Sequence, residues 1–171
     1  MPILRCTKKL QKEMGLRAVS NEPGETESSP LGLWHANLMY IARRKCVLFA
    51  NDRTLFNFIA TDVSRAEIRQ LDQLFIGYLS CVLHEEDLPK ALIDLIVQEC
   101  STITYGNTNN RSVLGSMNDF AFNYECRILD AGGVHSAQVP QIIKDLNRMP
   151  MGALNYAYAI EALQAAYASR S

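Results

Sequence analysis

The chain lacks a long hydrophobic run: its uninterrupted apolar stretches are only a few residues, so the sequence predicts no membrane-spanning helix. The opening MPILRCTKKLQKEM places its charges after Cys6 rather than ahead of an apolar segment, the reverse of a signal peptide, and a cytoplasmic location is expected. An excess of one charge is also missing. Seventeen Lys and Arg stand against eighteen Asp and Glu, a net charge of −1, so nucleic acid is not favoured as a partner by any global attraction. Cysteine is sparse and odd in number, five residues spread along the chain. That fits neither a disulfide framework nor a structural zinc pattern and suits buried thiols in a reducing compartment. His35, His84 and His135 have no paired ligand spacing, a carboxylate set such as Asp52, Asp119 and Glu125 has no pattern behind it, and glycine-rich phosphate-binding signatures are absent. No metal and no cofactor is expected.

What is present begins with residues 33–60, LWHANLMYIARRKCVLFANDRTLFNFIA. Apolar and β-favouring residues fill three strand lengths, divided by Arg43-Arg44 and by Asn51-Asp52-Arg53, which predicts an antiparallel meander. If 42 and 45 face each other across the first turn, His35 falls opposite Asp52 and Ala36 opposite Asn51. Trp34, His35, Asn37, Asn51, Asp52 and Arg53 then share one end of the sheet. A carboxylate beside an imidazole can fix its tautomer, as a general base requires; it can equally close a hairpin.

Around the meander, Ile3 to Cys6 reads as a short edge strand, and Thr7 caps a two-turn helix closed by Gly15. Residues 20–32, SNEPGETESSPLG, are polar and acidic, and predict a flexible linker within one domain. Ser64 and Glu67 form a capping box for a helix over 65–83. A second helix starts near Pro89, 101–105 carries strand character, and a long helix over 111–129 is followed by a shorter one over 139–148 and a last one over 155–168. The basic groups Arg5/Lys8/Lys9/Lys12 and Arg43/Arg44/Lys45 read as solvated surface.

The segment NNRSVLGSMND forms a second constellation. On a helix, Arg111, Gly115, Asn118 and Phe122 make one stripe, beside Ser112, Ser116, Asp119 and Asn123, while Val113, Met117, Phe120 and Tyr124 face the core. Gly115 inside a helix suggests close approach by another backbone or a ligand. The first-turn N–H groups with Arg111 could hold a phosphate or carboxylate.

TKKLQKEMG, WHANLMYIARRKCVLFANDRTLF, NRSVLGSMNDF and LNRMPMGALNYAYAIEAL together resemble an uncharacterised bacterial family, a domain of unknown function found in mobile or plasmid-borne gene neighbourhoods. The resemblance implies a bacterial cytoplasmic protein whose polar motif residues, Trp34, His35, Asn37, Asn51, Asp52, Arg111, Asn118 and Asp119, are site members. The last motif is also similar to the closing segment of retroviral-type integrases and transposases, through Asn147, Pro150, Leu154, Tyr156 and Glu161. Those enzymes need three metal-binding carboxylates, and no acid lies within 33–42.

The sequence therefore predicts a single α+β domain, a three-stranded meander plus one or two edge strands under four or five helices. Two functional readings stand. The first is a protein that binds a protein partner or an anionic small ligand through Trp34, His35, Asn37, Asn51, Arg111 and Asn118, associated with mobile elements or phage conflict. The second is a small hydrolase or nucleic-acid-processing enzyme using His35, Asp52 and Asp119 with Arg111.

Overall fold

The computed structural model describes residues 3–16, 19, 30–108 and 110–168. It is an α+β fold built on a five-stranded sheet: β1 (Ile3–Cys6), β2 (Trp34–Ile41), β3 (Arg44–Asn51), β4 (Asn57–Ala60) and β5 (Thr104–Asn107), in the order β4-β3-β2-β1-β5. β2, β3 and β4 form the expected antiparallel meander. β1 differs from expectation. It is an inner strand, parallel to β2 on one side and to β5 on the other. Its inner position explains why Arg5, expected on the surface, is only 4% exposed. β5 begins three residues later than expected and takes the edge.

Seven α-helices occur among the described residues, rather than four or five: α1 (Lys8–Met14), α2 (Arg65–Arg69), α3 (Leu71–Glu85), α4 (Lys90–Glu99), α5 (Arg111–Asp130), α6 (Val139–Leu146) and α7 (Ala159–Ala168). The expected helix over 65–83 is broken at Gln70, whose φ and ψ of −110° and 51° are not helical. α7 starts later than expected because Asn155 and Tyr156 take left-handed backbone conformations, with φ of 53° and 66°. None of these helices is long and apolar enough to cross a membrane.

Local chemistry accounts for the boundaries. Thr7 Oγ1 accepts from the Leu10 N–H and Gly15, at φ 78°, closes α1. The capping box at Ser64 and Glu67 is complete. The first hairpin turns through Ala42 and Arg43, both left-handed at φ 48° and 68°, so Ile41 pairs with Arg44. Two residues with positive φ are what a tight hairpin matching strand twist demands. The turn thus lies one residue earlier than Arg43-Arg44, and the expected register is corrected: His35 pairs with Ala50 and Trp34 with Asn51. The slip is by two positions along β3, so the faces stay as expected.

The two faces carry different helices. Trp34, Phe49 and Phe58 point to one side, where Phe75 of α3 completes an aromatic cluster with ring centroids 5.0–5.9 Å apart. The Lys9 ammonium over the Tyr40 ring places α1 on that side too. On the other side α5 packs Val113, Met117, Phe120, Tyr124 and Ile128 inward, as its periodicity predicts. Of the expected linker, 20–29 lie outside the described residues. Leu31 is a core residue, 1% exposed, so 30–32 belong to the packed domain.

Candidate functional site

A polar row crosses the sheet beneath α5. Gly106, Arg5, His35, Ala50 and Asn57 are directly paired across all five strands, so their side chains share one face. At the β4 end the row is fully partnered. Tyr124 Oη donates to Asn57 Oδ1 over 2.6 Å, and the Asn147 side chain exchanges hydrogen bonds with the Asn57 backbone. Burial holds the Tyr124 hydroxyl well above its ordinary pKa, with Glu86 adding to the effect. Glu86 in turn receives both terminal nitrogens of Arg148, at 2.6 and 3.2 Å, which raises the Arg148 pKa.

The middle of the row is unpartnered. His35 is fully buried, and neither ring nitrogen has a hydrogen bond. Its Nε2 lies 4.0 Å from Asp52 Oδ2, beyond hydrogen-bond reach. Arg5 donates from one terminal nitrogen to the Asn107 carbonyl over 2.7 Å, while its Nε has no partner. Asp52 accepts instead from the Leu33 N–H over 3.2 Å.

The other residues singled out in the sequence fall into two groups. Trp34, Asn37 and Asn51 are structural in their contacts: Trp34 sits in the aromatic cluster, Asn37 accepts from the Thr7 hydroxyl, and Asn51 organises the second turn. Asn51 donates to the Leu31 and Leu33 carbonyls and accepts from the Arg53 and Thr54 N–H groups. Arg111, Asn118 and Asp119 stand exposed on α5, with no side-chain bond to His35 or Asp52. Two of the first-turn N–H groups beside Arg111 are occupied, since Asn110 Oδ1 accepts from both Ser112 and Val113. Among the described residues no group of three or more His, Cys, Asp or Glu side chains is arranged to hold a metal ion.

An apolar-walled concavity of the surface lies elsewhere, beside a wider, shallower hollow over Gln70, Gln73, Leu74 and Gly77. Where α3 and α6 meet around the β4 edge, a cleft of about 290 Å³ opens, walled by Ile59, Val82, Val134, Val139 and Ile143. Tyr78, Cys81, Glu85, His135 and Lys144 supply its polar groups. Burial raises the pKa of the Tyr78 hydroxyl, and His135 is held 3.0 Å from Asp62, which also meets Arg44 at 3.6 Å. The family described as a domain of unknown function, DUF6933, matches residues 3–162. The chain belongs to that family. The match spans both the polar row and the cleft of this DUF6933 domain, and no curated protein matches the chain.

Sequence reasoning missed the cleft and the buried Arg5. The cleft walls come from β4, α3 and the segment leading into α6, far apart in sequence, so no local spacing marks them. For Arg5 a signal existed: an arginine inside ILRC, where three of four residues are apolar.

Proposed function

We propose that this DUF6933 domain is a binding protein that takes a small amphipathic ligand into the cleft between α3 and α6. The observation that carries the reading is the cleft itself: apolar walls, about 290 Å³ of space, and a few polar groups at its margin. Small-molecule sites have this composition, at roughly 300 Å³ and above. The apolar body of the ligand enters between Val82, Val139 and Ile143. Its polar end meets Tyr78, His135 and Lys144, of which the Lys144 ammonium favours an anionic group. The hydrolase reading needs His35, Asp52, Arg111 and Asp119 around one hollow, whereas His35 is sealed and Arg111 and Asp119 face solvent.

A fragment screen by ligand-observed NMR tests it, using aryl and short-chain alkyl carboxylates in a Cys126→Ser background. Binders should shift the amide resonances of residues 78–85 and 134–144, and alkylating Cys81 should block them. Binders that survive alkylation with unchanged affinity, or a screen without binders, would refute the cleft as a ligand site.

A further inference from the structure

The outer face of α5 is the partner-facing surface of a homodimer, we infer, with two copies of this chain docking their α5 helices antiparallel about a two-fold axis at Asn118. Opposite the buried residues of α5 run Arg111, Gly115, Asn118, Phe122 and Glu125, spaced by four, three, four and three, one straight stripe on a helix. All five are exposed. Phe122 is 69% exposed, the largest value for any phenylalanine here. Arg111, Asn118 and Glu125 have no ion pair or side-chain hydrogen bond among the described residues. A Cβ built on Gly115 meets nothing within 4 Å, so no contact inside the chain explains a glycine in the second turn of a 20-residue helix.

The order of the stripe identifies the partner. Read from Arg111 it runs cation, gap, amide, ring, anion. An antiparallel copy centred on Asn118 reverses that order and matches it term by term. Arg111 meets the second copy's Glu125, Phe122 lies over the second copy's Gly115, and the two Asn118 amides meet on the axis. Every contact off the axis then occurs twice, as an isologous interface requires. Glycine lets helices approach closely and admits the ring, while the two charge pairs fix direction and register. The antiparallel arrangement also opposes the two helix dipoles. The match of this stripe to its own reversed copy, in two charge pairs and two ring-over-glycine contacts, is what favours a second copy of the chain as the partner, and Leu129, the next exposed residue of the stripe, adds apolar surface at its end.

Sedimentation equilibrium of the full chain over a dilution series tests the inference. The wild type should show a concentration-dependent dimer. Arg111→Glu and Glu125→Arg should each weaken it by about ten-fold or more, and the double variant should recover most of the loss, because only a two-fold register joins these positions. Gly115→Ala should weaken association while raising the melting temperature of the dilute monomer, where the added methyl group has open space. A wild type that stays monomeric at its highest soluble concentration would overturn the proposal. So would a dimer indifferent to both charge reversals, or one in which the double variant gives no recovery. All three substituted positions are exposed, so the variants fold, which circular dichroism checks.

Discussion

The side-chain amide of Asn147 lies along the open edge of β4 like one more peptide unit: the Asn57 N–H donates to Asn147 Oδ1 over 2.9 Å, and Asn147 Nδ2 donates to the Asn57 carbonyl over 2.8 Å. The same amide donates to the Ile143 carbonyl, so one side chain blunts a sheet edge and anchors the end of α6. Because Ile143 lines the cleft and Asn57 holds Tyr124, this contact also sets the cleft wall relative to α5.

Asn147→Leu should therefore cost more than an ordinary surface change. Orphaning a buried backbone donor and acceptor costs about 1–3 kcal/mol for each group. We expect a loss of about 3 kcal/mol in urea unfolding, against about 1 kcal/mol for Tyr124→Phe, which removes a single hydrogen bond. A loss under about 1 kcal/mol for Asn147→Leu would mean that water reaches the β4 edge and satisfies it.

His35→Leu should move stability the other way. A buried imidazole with two unbonded nitrogens is a net cost, about 1–3 kcal/mol by the scale of buried polar groups, and leucine of similar size removes it. Urea unfolding should show an unchanged or more stable protein. Strong destabilisation would instead reveal ordered water bridging His35 to Arg5 or Asp52, which would return that row to consideration as a site.

How far the fold was legible follows from these particulars. Thr7, Gly15, Ser64 and Glu67 mark helix ends through contacts within a few residues, and all four do so in the structure. The meander and the inward face of α5 were legible for the same reason: strand and helix periods are local. The hairpin register was not, because Ala42-Arg43 lacks the Asn-Gly or Gly-Gly chemistry that ordinarily announces a left-handed turn, and the strain at Ala42 is offset by strand pairing. Nor could the sequence reveal that Asn147 meets Asn57 across ninety positions or that the residues of α3 and α6 enclose a cleft. Of the candidate site, the proximity of His35 and Asp52 was anticipated, but through a pairing that the structure replaces with the turn after β3.

The cysteines separate into two reactivity classes. Cys81 and Cys126 are exposed, while Cys6, Cys46 and Cys100 are buried. Burial pushes the Cys6 and Cys100 thiols up to about 12, with the Glu99 carboxylate adding to the effect at Cys100, and raises Cys46 as well. An aromatic disulfide reagent at about pH 8 should titrate two thiols quickly and the other three only on unfolding, since the thiolate is the reactive form. Cys81→Ser should remove one fast equivalent. Three or more fast equivalents would show that the core around β1, β3 or the end of α4 opens under native conditions.

Acid should weaken the contact that ties α1 to the hairpin and to α2. Glu13 Oε1 accepts from Lys45 Nζ and, over 3.2 Å, from Arg65 Nε. The hydrogen bond from Lys45, then that from Arg65, lowers the Glu13 pKa below the ordinary value, about 4.3 in an unfolded chain. A carboxyl depressed in the folded state contributes stability that is fully present above its unfolded pKa and disappears as pH falls through its folded pKa. Glu13→Gln should therefore be modestly less stable than wild type at neutral pH, the modesty following from the exposure of Arg65 and the screening of such pairs by salt. The gap should begin to narrow as pH drops below about 4 and should close in stronger acid, where the wild-type carboxyl carries its proton. Urea unfolding of both proteins at neutral pH and at two acidic points measures it. A gap that stays constant into strong acid would assign the effect to packing of the Glu13 side chain rather than to its charge.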